Sequence, residues 1–249
     1  MAGRSEVYFV SDVHLGLKIG DPAEREARFT GFLKSIPRDR AKALYMLGDI
    51  WDFWFEYRDV VPRCGTRVLA ALVELMDAGV EVWFCPGNHD LWTFSYFEEL
   101  GMHKFAQPFY VELDGKTFCL GHGDALGGAK WNYRLMLKLF NSRFLRALFA
   151  SLHPRIAFGL GLGWSRSNRA SRAPYRFRGT EEPLYRFALE ASAERHVDYF
   201  VFGHFHDDVD MTLPGGSRFV VLKDWIDGGA PYGMFNGSSF ELHSPGSSR

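Results

Sequence analysis

Five short segments spread along the chain each place metal-binding side chains at the end of an apolar run: SDVHLG at 11–16, GDIWD at 48–52, GNHD at 87–90, GHGD at 121–124 and GHFH at 203–206. One Asp-Xaa-His fragment is common on solvated loops. Five in succession, carrying Asp12, His14, Asp49, Asn88, His122, His204 and His206, demand a fold that gathers strand ends at one point. Val7–Val10, Ala43–Leu47, Phe118–Leu120 and Tyr199–Phe202 run straight into four of the motifs, and Val80–Cys85 leads through Pro86 to the fifth. Short β-rich apolar runs bounded by glycine predict buried strands, so the polar residues fall at strand carboxyl ends, where open sheets bind ligands. Gly48, Gly87, Gly121 and Gly203, each directly before a polar residue, permit the tight turn this needs.

The rest of the pattern predicts strands over 6–11, 43–47, 80–85, 108–113 and 116–120, with helices over 23–35, 65–78 and 94–100. Asp114-Gly115 signals a hairpin. Helices are expected from about 131 to 194, then a strand ending at Phe202, a hairpin around Pro214-Gly215-Gly216, and a last strand pair within 233–243. Strand and helix alternate before the hairpins, which predicts a mixed sheet core of the α/β class with helices outside.

The donors restrict the metals. Aspartate, histidine and an asparagine carbonyl form a mixed oxygen and nitrogen set without cysteine, which suits manganese first, with iron, zinc or cobalt as alternatives. Two divalent cations about 3.5–4 Å apart can stabilise both the attacking and the leaving oxygen of an in-line displacement at phosphorus. Hydrolysis of a phosphoester or phosphoanhydride is the expected chemistry.

The set DVH, GDIWD, GNHD, GHGD and GHFH resembles the calcineurin-like metallophosphoesterase superfamily. The resemblance implies a four-layered α/β/β/α sandwich. It also implies that Asp12, His14 and His206 hold one metal and Asn88, His122 and His204 the other, with Asp49 bridging. His89 would face the substrate as general acid or charge stabiliser, oriented by Asp52.

Between the fourth and fifth motifs, residues 130–180 carry 11 Lys or Arg and no Asp or Glu, leaving 18 basic and 30 acidic residues elsewhere. A near-neutral total therefore hides a +11 segment against a −12 remainder, a field that attracts anions. The segment is also apolar at helical spacings, from Leu135 to Leu152, with Arg134, Lys138, Arg143 and Arg146 between. Such a helix reads as a membrane-surface element, the wall of an apolar groove, or simply a face packed on the domain. The Phe158–Trp164 stretch alternates three glycines and is followed by Ser165, Arg166, Asn168, Arg169 and Arg172. These donors, with Asn88 and His89, are the candidate substrate-binding residues, since the guanidinium fork suits a diphosphate.

A basic, apolar helical insertion at this place resembles the UDP-2,3-diacylglucosamine pyrophosphatase branch of the superfamily, in lipid A biosynthesis. That resemblance implies a lid over an acyl-chain chamber and release of UMP and a diacylglucosamine 1-phosphate. One departure stands out: the best-known enzymes of the branch carry arginine after the asparagine of the GN-Xaa-D motif, where this chain has His89, as generic phosphoesterases do. The division expected is a core of 1–129 and 181–243, an insertion of 130–180, and a flexible tail of 244–249. The expected partner is a nucleotide-linked glycolipid, with possible contact at an inner-membrane surface and no nucleic acid. The alternative is a broader phosphodiesterase or nucleotide pyrophosphatase whose basic face meets soluble nucleotides or nucleic acid. A non-catalytic scaffold would be expected to have lost ligands, whereas all seven are present. The sequence sets no oligomeric state.

Three scattered cysteines, Cys64, Cys85 and Cys119, suit free thiols in a reducing cytoplasm. No signal peptide is expected before the first strand, and no apolar run reaches the roughly 20 residues of a membrane span. A cytoplasmic enzyme, peripheral at most on the inner membrane, is the resulting expectation.

Overall fold

The computed structural model describes residues 3–128, 131–170 and 176–243, with only the backbone at 168–170. The expected tail, 244–249, lies outside the described residues. In chain order the elements are β1 (Glu6–Val10), α1 (Pro22–Ser35), β2 (Ala41–Leu47), α2 (Thr66–Asp77), β3 (Glu81–Cys85), α3 (Tyr96–Glu99), β4 (His103–Lys104), β5 (Phe109–Leu113) and β6 (Lys116–Leu120). Three helices follow, α4 (Trp131–Phe140), α5 (Arg143–Ala150) and α6 (Pro154–Ala170), then α7 (Pro183–Glu194). Strands β7 (Tyr199–Phe202), β8 (Val209–Thr212), β9 (Arg218–Val221), β10 (Tyr232–Phe235) and β11 (Phe240–His243) complete the described chain.

Two sheets form, in the orders β11-β10-β1-β2-β3-β4 and β5-β6-β7-β9-β8. Strands β1 to β4 run parallel, as do β6, β7 and β9, so all their carboxyl ends open on one edge. Side-chain alternation explains the layering. In β1, Val7 and Phe9 face the space between the sheets, packing with Phe118, Val201 and Val220. Tyr8 and Val10 face the opposite way, into a core shared with α1 and α2. In β7 and β9, Phe200, Phe202, Phe219 and Val221 turn outward onto Leu184 and Ala188 of α7. The four-layered α/β/β/α sandwich is thus present.

The sequence-derived boundaries shift where side chains intervene. Helix α3 spans only Tyr96–Glu99: the Glu56 carboxylate caps its start by accepting the N–H groups of Phe94, Ser95 and Tyr96, and the chain turns to positive φ at Gly101 just past its end. The helical stretch after residue 131 is broken at Ser142, whose hydroxyl caps α5, and again before Pro154 at the start of α6. Strand β4 is not legible in sequence: it is a two-residue His-Lys piece paired with β3. All three cysteines are free, with Cys85 and Cys119 buried. No helix among the described residues is long and apolar enough to cross a membrane.

Candidate metal centre

The five motif loops leave β1, β2, β3, β6 and β7 on the common edge and meet there. Their packing is close enough to explain the glycines. A Cβ on Gly87 would run into the Asp49 side chain and backbone, and one on Gly203 into Ser11 and Asp12. Clearance between loops, more than turn geometry, is what these two positions require.

Asp12, His14 and His206 form one cluster whose donor atoms lie within 4.8 Å of one another, and Asp12, Asp49 and His122 form a second. Nε2 of His14 and Nε2 of His206 are 3.3 Å apart. Asp49 sits between the halves: its Oδ2 is 3.4 Å from His122 Nε2 and 3.9 Å from His14 Nε2, while its Oδ1 accepts the His89 N–H. Asn88 Oδ1 lies 3.3 Å from His122 Nε2, and the His204 ring centroid is 5.1 Å from that of His122. All seven sequence-predicted residues are brought together.

Three features fit this pocket to divalent cations. Asp12 Oδ1 is fully buried and makes no well-formed hydrogen bond; its polar neighbours are the Nε2 atoms of His206 and His14, at 3.3 and 3.6 Å, which are themselves metal-ligating nitrogens. The donors are carboxylate oxygens, imidazole nitrogens and an amide oxygen, with no thiolate. Asp12, His14, Asp49, His204 and His206 all have positive φ, a left-handed conformation costing on the order of 1–3 kcal/mol per residue, and such strain clusters at ligand clamps.

Charge is organised accordingly. Burial would raise the Asp12 carboxyl, but His14 and His206 beside it hold it well below the usual range. Asp49 is likewise held down, by His122 and His89, against the effect of burial. His206 would be pushed down by burial, yet the carboxylates of Asp12 and Asp224, each 3.3 Å from one of its nitrogens, raise it to about 9. His204, buried beside the charge of His122, falls to about 4.

His89 and Asp52 are also at the site, in an arrangement sequence does not reveal. His89 Nδ1 is 2.9 Å from the Asp52 backbone carbonyl, while the Asp52 carboxylate is 3.4 Å from His14 Nδ1 and 3.7 Å from His89 Nδ1. Burial lowers the pKa of His89 below the ordinary imidazole value. Ser165 reaches the site through α6 but turns toward Asp52, its hydroxyl 3.0 Å from each carboxylate oxygen. Arg166 is exposed, and its Nε donates to the Leu162 carbonyl one turn back. The side chains of Asn168 and Arg169, and all of Arg172, lie outside the described residues.

Sequence reasoning missed Asp224, whose Oδ2 is 3.3 Å from His206 Nδ1 and which follows the apolar end of β9 much as the motif residues follow theirs. That spacing was the available signal. It also left open the role of Asp124, which accepts from Gln107 and from the Tyr133 hydroxyl on α4, each at 2.5 Å. Asp90, likewise left open, accepts backbone N–H groups from Asp49, Ile50, Trp51 and Gly87 and so ties two motif loops together.

Beside the cluster lies a cavity of about 730 Å³ between the core and α4 to α6, lined by Phe53, Leu91, Trp92, Phe149 and Trp164 and reaching Asn88 and His89.

Residues 5–208 match the family described as calcineurin-like phosphoesterase. A UDP-2,3-diacylglucosamine hydrolase of Porphyromonas gingivalis is 42% identical over 97% of this chain and 98% of its own length. Another, from Stenotrophomonas maltophilia, is 32% identical over 89% of this chain and 92% of its own. Among solved structures, a dimetal phosphatase from Danio rerio aligns over 98% of this chain and 96% of its own, with a TM-score of 0.51 and 14% identity, a likeness of fold. The chain belongs to the calcineurin-like phosphoesterase family and is a hydrolase of that metallophosphoesterase class.

Proposed function

We propose that this protein hydrolyses UDP-2,3-diacylglucosamine to UMP and 2,3-diacylglucosamine 1-phosphate, a step of lipid A biosynthesis. The observation that carries this reading is the cavity of about 730 Å³, apolar along most of its wall and ending at Asn88 and His89. Its size falls within the range of roughly 300–1,000 Å³ typical of small-molecule sites. Acyl chains would fill it with the glucosamine phosphate directed at the cluster, whereas a soluble nucleotide or diester has no use for it. The relative from Porphyromonas gingivalis, a UDP-2,3-diacylglucosamine hydrolase by name, is matched over 97% of this chain, a span that must take in most of residues 130–180. That segment is read here as a lid inserted into a core of 1–129 and 181–243.

Asp12, His14 and His206 would hold one divalent cation, Asn88, His122 and His204 a second, and Asp49 both. When bound, the cations supply positive charge to the attacked phosphate and lower the pKa of a water. Manganese is the proposed ion, and the mixed oxygen and nitrogen donors also suit iron, zinc or cobalt. His89 Nδ1 donates to the Asp52 carbonyl, which leaves Nε2 facing the cluster, 4.0 Å from Asp49 Oδ2. A diphosphate there favours protonation of Nε2, the form that stabilises the departing charge. Arg166, Asn168, Arg169 and Arg172 are the proposed diphosphate and uridine contacts.

Leu139, Leu148 and Leu160 line the cavity and are also exposed, and Phe144 and Ile156 of α5 and α6 are exposed next in sequence to Arg143 and Arg155. This supports contact with an anionic membrane surface, on the cytoplasmic face where a UDP-linked lipid would be met. The test is incubation of purified protein and manganese with UDP-2,3-diacylglucosamine in detergent. UMP and lipid monophosphate are expected, abolished by chelation; turnover of soluble diesters without any lipid hydrolysis would favour the broader phosphodiesterase instead.

A further inference from the structure

Helix α6 meets the core along one face. Ala157, Gly161 and Ser165 recur every fourth residue and are all buried, while the positions between them are half-buried or exposed. The small side chains set how closely the helix lies. A Cβ on Gly161 would run into the Phe53 ring, so only glycine permits this seating. Four residues on, the same face delivers the Ser165 hydroxyl to both oxygens of Asp52 at 3.0 Å. Ser165 and Asp52 are each 1% exposed, so the contact is buried at the inner end of the cavity they both line. Beyond Asp52, its Oδ1 is 3.4 Å from His14 Nδ1, and the other nitrogen of that ring points at Asp12 and His206.

We propose that Ser165 is a positioning residue of the metal centre: by holding the Asp52 carboxylate it fixes the His14 ring, so the centre is complete only when α6 is seated on the core. A carboxylate that accepts Nδ1–H from a ligand histidine sets the tautomer and aims Nε2 at the metal. Here that carboxylate is itself held by a helix of the lid. The arrangement has a counterpart at the other end of the same segment, where Tyr133 of α4 donates to Asp124, two residues after His122. Lid position and metal affinity are thereby linked: loosening α6 weakens metal binding, and bound metal favours the seated helix.

The inference rests on the assignment of His14 as a metal ligand and not on the identity of the lipid. Its test therefore uses manganese binding and a soluble diester, bis(p-nitrophenyl) phosphate, which needs no chamber. Ser165→Ala is expected to weaken manganese binding by calorimetry, and to lower kcat on the diester, by about 10- to 100-fold, the range for outer partners of metal ligands. Ser165→Thr, which retains the hydroxyl, recovers most of both. Gly161→Ala, which displaces the helix and leaves Ser165 intact, weakens manganese binding in the same way. In the metal-free protein, nitrogen NMR of His14 should show the Nδ1–H tautomer in the wild type and a tautomer mixture in Ser165→Ala. If Ser165→Ala binds manganese and turns over the diester as wild type while KM for the lipid alone rises, Ser165 is a substrate contact and the proposal is wrong. Failure of manganese to bind the wild-type protein would instead overturn the metal assignment itself.

Discussion

Nε2 of His14 and Nε2 of His206 face each other at 3.3 Å although 192 residues separate them in sequence. Two imidazole nitrogens converge there with Asp12 Oδ1, which is 3.3 Å from His206 Nε2 and 3.6 Å from His14 Nε2, so a cation and the His206 proton compete for the same buried site.

Asp49 stands between both halves of the cluster, so its replacement should affect both cations. Asp49→Asn is expected to reduce bound metal from about two ions per chain to one or fewer, and to lower diester turnover by more than ~100-fold, beyond the loss typical of an outer partner. Native mass spectrometry and a chromogenic assay read the two effects.

In the metal-free protein, His206 is raised to about 9 because Asp12 and Asp224 outweigh the effect of burial. A group raised on folding adds stability that is complete below its unfolded value of about 6.5 and is lost as pH climbs through about 9. Melting temperatures of chelator-treated protein should therefore fall between those values, and His206→Gln should flatten the slope. Cations compete with the same proton, so manganese affinity is expected to rise over this window.

Phe149 packs on Phe55 and Trp92 in the cavity wall, with ring centroids 4.8 and 5.0 Å away. Phe149→Ala removes apolar surface from the chamber and should raise KM for the lipid about tenfold, equivalent to about 1.4 kcal/mol, with kcat on a soluble diester changed far less. Steady-state kinetics on the two substrates separate the effects.

Phe144 is 76% exposed and Leu148 58% exposed on the helix that carries Arg143 and Arg146. Phe144→Asp combined with Leu148→Asp should abolish co-sedimentation with anionic vesicles, binding that in the wild type weakens with salt. Equal sedimentation of the two proteins would count against membrane contact.

The motif residues were legible because each follows a strand whose apolar run is plain in one dimension; the same runs predict a mixed sheet core of the α/β class, while the four-layered sandwich is implied only by the family resemblance of the motifs. The contact of Ser165 with Asp52 is not legible in sequence because the two lie 113 residues apart and the close seating of α6 at Gly161 brings them together. Asp224 was passed over because it stands alone, without the Gly-His or Gly-Asp pairing that marks its neighbours. The start of α3 likewise depends on a distant side chain, Glu56, which accepts the N–H groups of Phe94 and Ser95 from 38 and 39 residues away. Local pattern reveals strands and the residues at their ends, while contacts between distant segments decide which group each polar side chain serves.

The most direct measurement is mass spectrometry of the products formed from UDP-2,3-diacylglucosamine in oxygen-18 water with manganese present. Attack at the phosphorus next to uridine predicts label in UMP and none in 2,3-diacylglucosamine 1-phosphate; label in the lipid phosphate, or no manganese-dependent UMP at all, would contradict the account.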